Sequence, residues 1–194
     1  MAVQDPEQIL VAGNLRLHSA PVGTTLPTAL PTTGNLNLDG AFNEVGFTSP
    51  DGSVMNYTPS TEGIPVHQRL LAARTIVTGV EANAQFVLRE WTTEAVQLGF
   101  GGGTVSEPSA GLFRYDPPDP GTITEFTFVL DLFDEYGTWR WVFERAIATG
   151  TMTVNFVKTA AADLPVTLTM QAGNTVDAGF YALTDWAGLD PAGS

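Results

Sequence analysis

The stretch from 125 to 147, EFTFVLDLFDEYGTWRWVFERAI, decides the fold class. Phe126, Phe128, Leu130 and Leu132 recur at every second position, the period at which strand side chains share one face. Asp134-Glu135-Tyr136-Gly137 has turn composition, and Trp139, Trp141, Phe143 and Ile147 return on one face of a partner strand. Downstream, Met152, Val154 and Phe156 predict a third strand, and Val166, Leu168 and Met170 a fourth. Residues 178–186, with Phe180, Tyr181, Leu183 and Trp186, predict a last one. The apolar positions alternate with Thr, Asn, Glu or Arg, giving a meander with one dry and one wet face. Such a sheet is expected to pack on another sheet.

Upstream, Val80, Ala82, Ala84, Phe86 and Leu88 alternate with Glu81, Asn83, Gln85 and Arg89, the pattern of another half-buried strand. Thr92 and Thr93 can cap a short helix with Glu94 at its positive end, an apolar side of Ala95, Val96 and Leu98, and a stop in the glycines from Gly99 to Gly103. Leu15 and Leu17 suggest a first strand, Pro27 and Pro31 keep 23–34 irregular, and Leu36 and Leu38 suggest a weak second strand. Residues 48–68 contain Pro50, Asp51-Gly52, Pro59, Gly63 and Pro65 and predict a long polar loop, of a length that is usually functional or disordered. The organisation expected is an N-terminal arm over 1–13, one domain over 14–187 that includes the 48–68 loop, and a polar tail over 188–194.

A chain of 194 residues, rich in Thr, Val and Gly and with 15% charged side chains, is long enough for one domain with a sizeable core and reads as mainly β. Eight basic against 21 acidic residues give a net charge of −13, which repels phosphate and argues against tight nucleic-acid or anionic-membrane binding. With no cysteine, neither a disulfide frame nor a thiolate metal site is available. The first residues carry no basic region followed by an apolar core, and no apolar run has membrane-spanning length, so a soluble intracellular origin is expected.

No catalytic constellation emerges. The run Gly99-Phe100-Gly101-Gly102-Gly103 lacks the Gly-Lys-Ser/Thr ending of a phosphate loop and follows a helix instead of opening one. His18 and His67, the two histidines, stand far apart without metal-ligand spacing. Asp116/Asp119 and Asp131/Asp134/Glu135 lack the ligand spacing of a calcium loop and read as turn-forming or solvated acids. No serine sits in a nucleophile elbow, and no pair of carboxylates is singled out for glycoside hydrolysis. Of the four tryptophans, Trp91, Trp139, Trp141 and Trp186, the middle two share a face with Phe143, the pattern of a core or a subunit interface before that of a sugar platform. No enzyme, cofactor or metal is expected.

Several pieces in order resemble the tail tube (major tail) proteins of long-tailed bacteriophages, particularly those infecting actinobacteria. They are Leu15-Arg16-Leu17 through Ala20-Pro21-Val22-Gly23-Thr24, Glu44-Val45-Gly46-Phe47-Thr48 with Asp51-Gly52, Phe86-Val87-Leu88-Arg89-Glu90, and the Thr92 to Gly99 helix. The resemblance spans about Ala12 to Trp186. It implies a β-sandwich or partly closed barrel with one flanking helix and extended arms, in subunits that form six-fold rings stacked around a tape-measure protein. Terminator and baseplate proteins are then further partners, in a virion tail assembled in the host cytoplasm, and DNA passes through without specific binding. The 48–68 loop would bridge rings, with Asp51, Tyr57, Glu62 and His67 as candidate contacts, and the wet-face acids Glu81, Glu125, Asp131 and Glu144 would line the lumen. The competing readings are another virion or surface β-sandwich, such as a decoration protein or glycan-binding adhesin, and a small carbohydrate-active protein.

Overall fold

The computed structural model describes residues 6–31, 38 and 40–189. Its ten strands are β1 (Asn14–Pro21), β2 (Asn43–Glu44), β3 (Val54–Val66), β4 (Arg69–Leu88), β5 (Thr104–Ser109), β6 (Leu112–Asp116), β7 (Glu125–Phe133), β8 (Thr138–Thr149), β9 (Leu164–Met170) and β10 (Phe180–Thr184). One helix, α1 (Thr93–Phe100), lies between β4 and β5. Eight strands form one antiparallel sheet in the order β2-β1-β7-β8-β9-β4-β3, with β10 also pairing β8, while β5 and β6 form a separate hairpin.

The large sheet curls onto itself. β4 and β7 are three places apart in it, which in a flat sheet would separate them by about 14 Å. Yet the rings of Phe86 on β4 and Phe128 on β7 meet edge-on with centroids 6.0 Å apart. The enclosed core joins Leu17, Phe86, Leu88, Phe128, Phe143 and Leu168, and Ala95 and Leu98 of α1 plug one side. Closure is partial, because an apolar cavity of about 590 Å³ remains between β1 and β7 on one wall and β3 and β4 on the other. The fold is thus mainly β with one short helix, as the alternation implied. The helix has its expected cap: Thr92 Oγ1 accepts from the Ala95 N–H at 3.0 Å, and Gly101 ends it at φ 74°, a left-handed position suited to glycine.

A β-bulge corrects the reading of β8. Phe126 pairs with Ala146 but Phe128 with Phe143, so β8 holds one residue more than β7 over this interval. The extra residue reverses the alternation, and Ala146 joins the core where Ile147 was expected. The outer edge of β8 then divides, with β10 pairing residues 139–143 and β9 pairing 146–149.

Three further expectations are revised. Met152 and Val154 pack on the core, but 151–157 is not a strand, since β9 already occupies the neighbouring edge of β8. The expected loop over 48–68 is largely strand β3, paired with β4 from Val54↔Gln85 to Val66↔Arg69. Its prolines fit because β3 is the last strand of the sheet, where one side of the backbone has no ladder to lose. The sheet's second face is also not uniformly wet. Ala20, Phe42, Val129 and Val142 form a smaller core beneath Leu26, Leu38 and Tyr181. The irregular 22–31 segment lies there as a strap, its carbonyls engaged by Tyr181 Oη on Pro27 O at 2.6 Å and Arg140 Nη1 on Ala29 O at 2.7 Å. The expected strand at Leu36 and Leu38 falls mostly outside the described residues, as do residues 1–5 of the expected arm and 190–194 of the expected tail.

Candidate assembly surface

The β3–β4 hairpin leaves the body of the protein. β4 pairs with β9 only from Asn83 to Leu88; its residues 69–82 pair with β3 alone. The matching part of β3, from Tyr57 to Val66, makes nine steps, an arm of about 30 Å. Every residue of β3 is exposed. On β4, Leu70 is 107% exposed and Leu71 82%, with Val77 and Val80 also in solvent. A two-stranded ribbon on its own is marginally stable in water, and this one shows apolar side chains with nothing among the described residues to cover them. Gly63 is sterically required, since a Cβ there would approach Ala72 Cβ to 2.9 Å.

The four residues expected to bridge rings are strung along this arm. Asp51 sits at its base, accepting from Ser49 Oγ at 2.7 Å with Arg89 Nη2 at 3.7 Å. Tyr57 lies low on β3, edge-on to Phe180 of β10 at 5.9 Å. Glu62 is opposite Ile76 farther out, and His67 is in the terminal turn.

The four acids expected on the wet face have different fates. Glu81 is exposed. Glu125 is half-buried and gripped by Arg145, with Nη2 at 2.5 Å and Nε at 3.2 Å. Asp131 is fully buried and receives Arg140 Nε and Nη2 at 2.7 and 2.6 Å beneath the strap. Glu144, on β8, is buried against the turn after β9, accepting from the N–H groups of Asn174, Thr175 and Val176. Burial pushes the pKa of Glu144 up, but these backbone bonds and one from the Thr175 hydroxyl outweigh it and hold the carboxyl below its ordinary value. Asp131 and Glu144 are therefore not free carboxylates on a wall: one neutralises a buried arginine and the other fastens a loop.

Beside them His18 is buried with neither ring nitrogen hydrogen-bonded. Desolvation lowers its pKa, opposed by Asp131 and Glu44 and assisted by Arg140 and Arg16. Sequence alternation places His18 opposite Leu17 but carries no sign of the strap that buries it. A second apolar surface, also missed, surrounds the β5–β6 hairpin, where Leu112 and Phe113 are exposed near Phe100, whose ring tilts on Tyr115 at 5.4 Å. Alternating Val105, Phe113 and Tyr115 about Ala110-Gly111 was the available signal.

No group of three or more acids or histidines among the described residues is placed to hold a metal ion. Trp139 and Trp141 stack on each other at 5.7 Å and Trp186 is buried, so the tryptophans do not form a common exposed platform. The family model for phage tail tube proteins matches residues 1–192. The chain belongs to the phage tail tube protein family. It is a structural component of the virion tail, in a family of structural proteins and not of enzymes. Among solved structures, a chain from the "tail of empty GTA particle computed with helical refinement, C6 symmetry" is similar at 11% identity and a TM-score of 0.39, covering 87% of this tail tube protein and 95% of that chain. No curated protein matches it.

Proposed function

We propose that this tail tube protein forms hexameric rings that stack into a hollow tube around a tape-measure protein. The tube is bounded by terminator and baseplate proteins, is assembled in the host cytoplasm, and conducts DNA into the next host. The single observation that carries the reading is the β3–β4 arm, about 30 Å of ribbon with Leu70 and Leu71 in solvent. Covering each of these leucines stabilises an assembly by about 1.5–3 kcal/mol, and a ring or stack offers many such contacts. The exposed edge of β3 is satisfied in the same way, by pairing or cover from neighbours. Residues Asp51, Tyr57, Glu62 and His67 then meet adjacent subunits along a paired β-ribbon and its base instead of along an irregular loop.

The acidity suits a conduit that must not hold DNA, because an acidic wall repels phosphates within a Debye length of about 8 Å. That repulsion comes from the overall excess of 21 acidic over 8 basic residues, with Glu81 among the exposed contributors. Asp131, Glu125 and Glu144 contribute less, since each is engaged inside the subunit. Electron microscopy of the purified chain at rising concentration tests the reading. Six-fold rings or hollow tubes are expected; a monomer or trimer at every concentration would contradict it.

A further inference from the structure

Charge is segregated along this chain in a way that selects a docking surface. Residues 59–80, the arm beyond the Thr58–Glu81 pair, contain Arg69 and Arg74 against one acid, Glu62, a net of +1, while the remainder has 6 basic against 20 acidic residues, a net of −14. Elsewhere the arginines are matched within the subunit: Arg16 with Glu44, Arg89 with Asp51 and Asp163, Arg114 with Asp116, Arg140 with Asp131, and Arg145 with Glu125. Arg74 is exposed and has no carboxylate partner among the described residues. The arm therefore ends in a surface both apolar and cationic.

The complementary surface lies beside the turn between β7 and β8. Residues 9–13 run along that turn, fastened by the Gly13 N–H on Phe133 O at 3.1 Å and the Val11 N–H on Asp134 Oδ2. Between them is a groove of about 490 Å³ lined by Ile9, Val11, Phe133, Asp134 and Glu135. Ile9 and Val11 are 65% and 63% exposed. Asp134 uses its oxygens on backbone N–H groups, and neither it nor Glu135 forms an ion pair among the described residues. An apolar floor with an acidic rim matches an apolar end with a cationic flank.

We propose that this groove receives the end of the β3–β4 arm of a second copy, with Leu70 and Leu71 against Ile9 and Val11 and Arg74 facing Asp134 and Glu135. The contact joins different patches on the two copies, the head-to-tail kind that closes into a ring or runs on as a helical stack. It rests on the self-assembly reading and specifies which surfaces that assembly uses. Opposite charges steer the arm to the groove, and like charges discourage arm-to-arm association.

The absence of cysteine makes the contact directly testable. A Leu71→Cys variant is mixed under mild oxidation with a differently sized Val11→Cys variant, and mixed dimers are counted on a non-reducing gel. Val157→Cys, exposed but outside the groove, replaces Val11→Cys as control. The expected result is about tenfold more mixed dimer than the control gives, lost with Arg74→Glu in the arm and recovered when the groove partner carries Glu135→Arg. If the wild-type chain forms rings or tubes while cross-linking stays at the control level, the groove assignment is overturned and the self-assembly reading stands. If neither assembly nor cross-linking occurs, both are overturned.

Discussion

From residue 82 to 88, β4 buries Ala82, Ala84, Phe86 and Leu88 inside the barrel; from 70 to 80 the same strand carries Leu70, Leu71, Val77 and Val80 into solvent. The two parts are comparably apolar, and among the described residues only the inner one finds cover. The charges divide the same way, since Asp131 and Arg140 are locked together in the body while Arg74 stands exposed on the arm. A body complete in itself and an arm incomplete without neighbours are what a subunit of a polymer needs. The difference locates where assembly energy comes from: the barrel supplies a rigid base, and the arm supplies the surface still to be buried.

Substitutions in the body should test its self-sufficiency most severely. Phe128 stacks on Phe143 with ring centroids 4.1 Å apart, and Phe128→Ala is expected to cost about 3–5 kcal/mol in denaturant unfolding of the monomer. Asp131→Ala should cost a similar ~3–5 kcal/mol, because it leaves the Arg140 guanidinium buried without its carboxylate. A loss below about 1 kcal/mol at either position would show that the barrel is not the independent unit described. Thr92→Ala removes the cap of α1 and should lower stability by about 1 kcal/mol, read from the shift in denaturant midpoint.

The pH dependence sharpens the same contrast. Glu144 has a folded pKa below its unfolded value, so its contribution is present above the ordinary carboxylate range and fades as pH falls through the folded pKa. His18 has a folded pKa below 6.5, so the unfolded chain binds its proton first and stability declines as pH drops below 6.5. Thermal unfolding from pH 7.5 downward should therefore show a decline beginning near 6.5 that His18→Phe removes, and a further decline in the carboxylate range that Glu144→Gln reduces. The smallest stability change is expected on the arm: Leu70→Ala and Leu71→Ala should alter monomer stability by no more than about 0.5 kcal/mol while reducing assembly seen by light scattering.

Much of the body is legible in sequence because its code is local. The period-two pattern of Phe126, Phe128, Leu130 and Leu132 places all four on the core side, and Thr92 with the glycines after Leu98 marks both ends of the helix. Three features depend on information that alternation does not contain. The bulge between Phe143 and Ala146 appears only when β8 is paired with β7, so Ile147 reads as core when Ala146 is. Asp131 lies on the face opposite Leu130 and Leu132, but its burial depends on the strap, whose sequence resembles an ordinary Pro-rich turn. The arm reads as a loop because Pro59, Gly63 and Pro65 are breakers in most contexts; at a sheet edge they interrupt no ladder on the outer side. The family resemblance, by contrast, came from the order of short pieces, and the family match over residues 1–192 bears it out.

Hydrogen exchange of the backbone amides, followed in the monomer and again in the assembled form, tests the central claim most directly. The account predicts fast exchange in residues 54–80 of the monomer, strong protection there on assembly, and little change in β7 and β8. Equal protection of 54–80 in both forms, or an arm that still exchanges freely in rings or tubes, would contradict it.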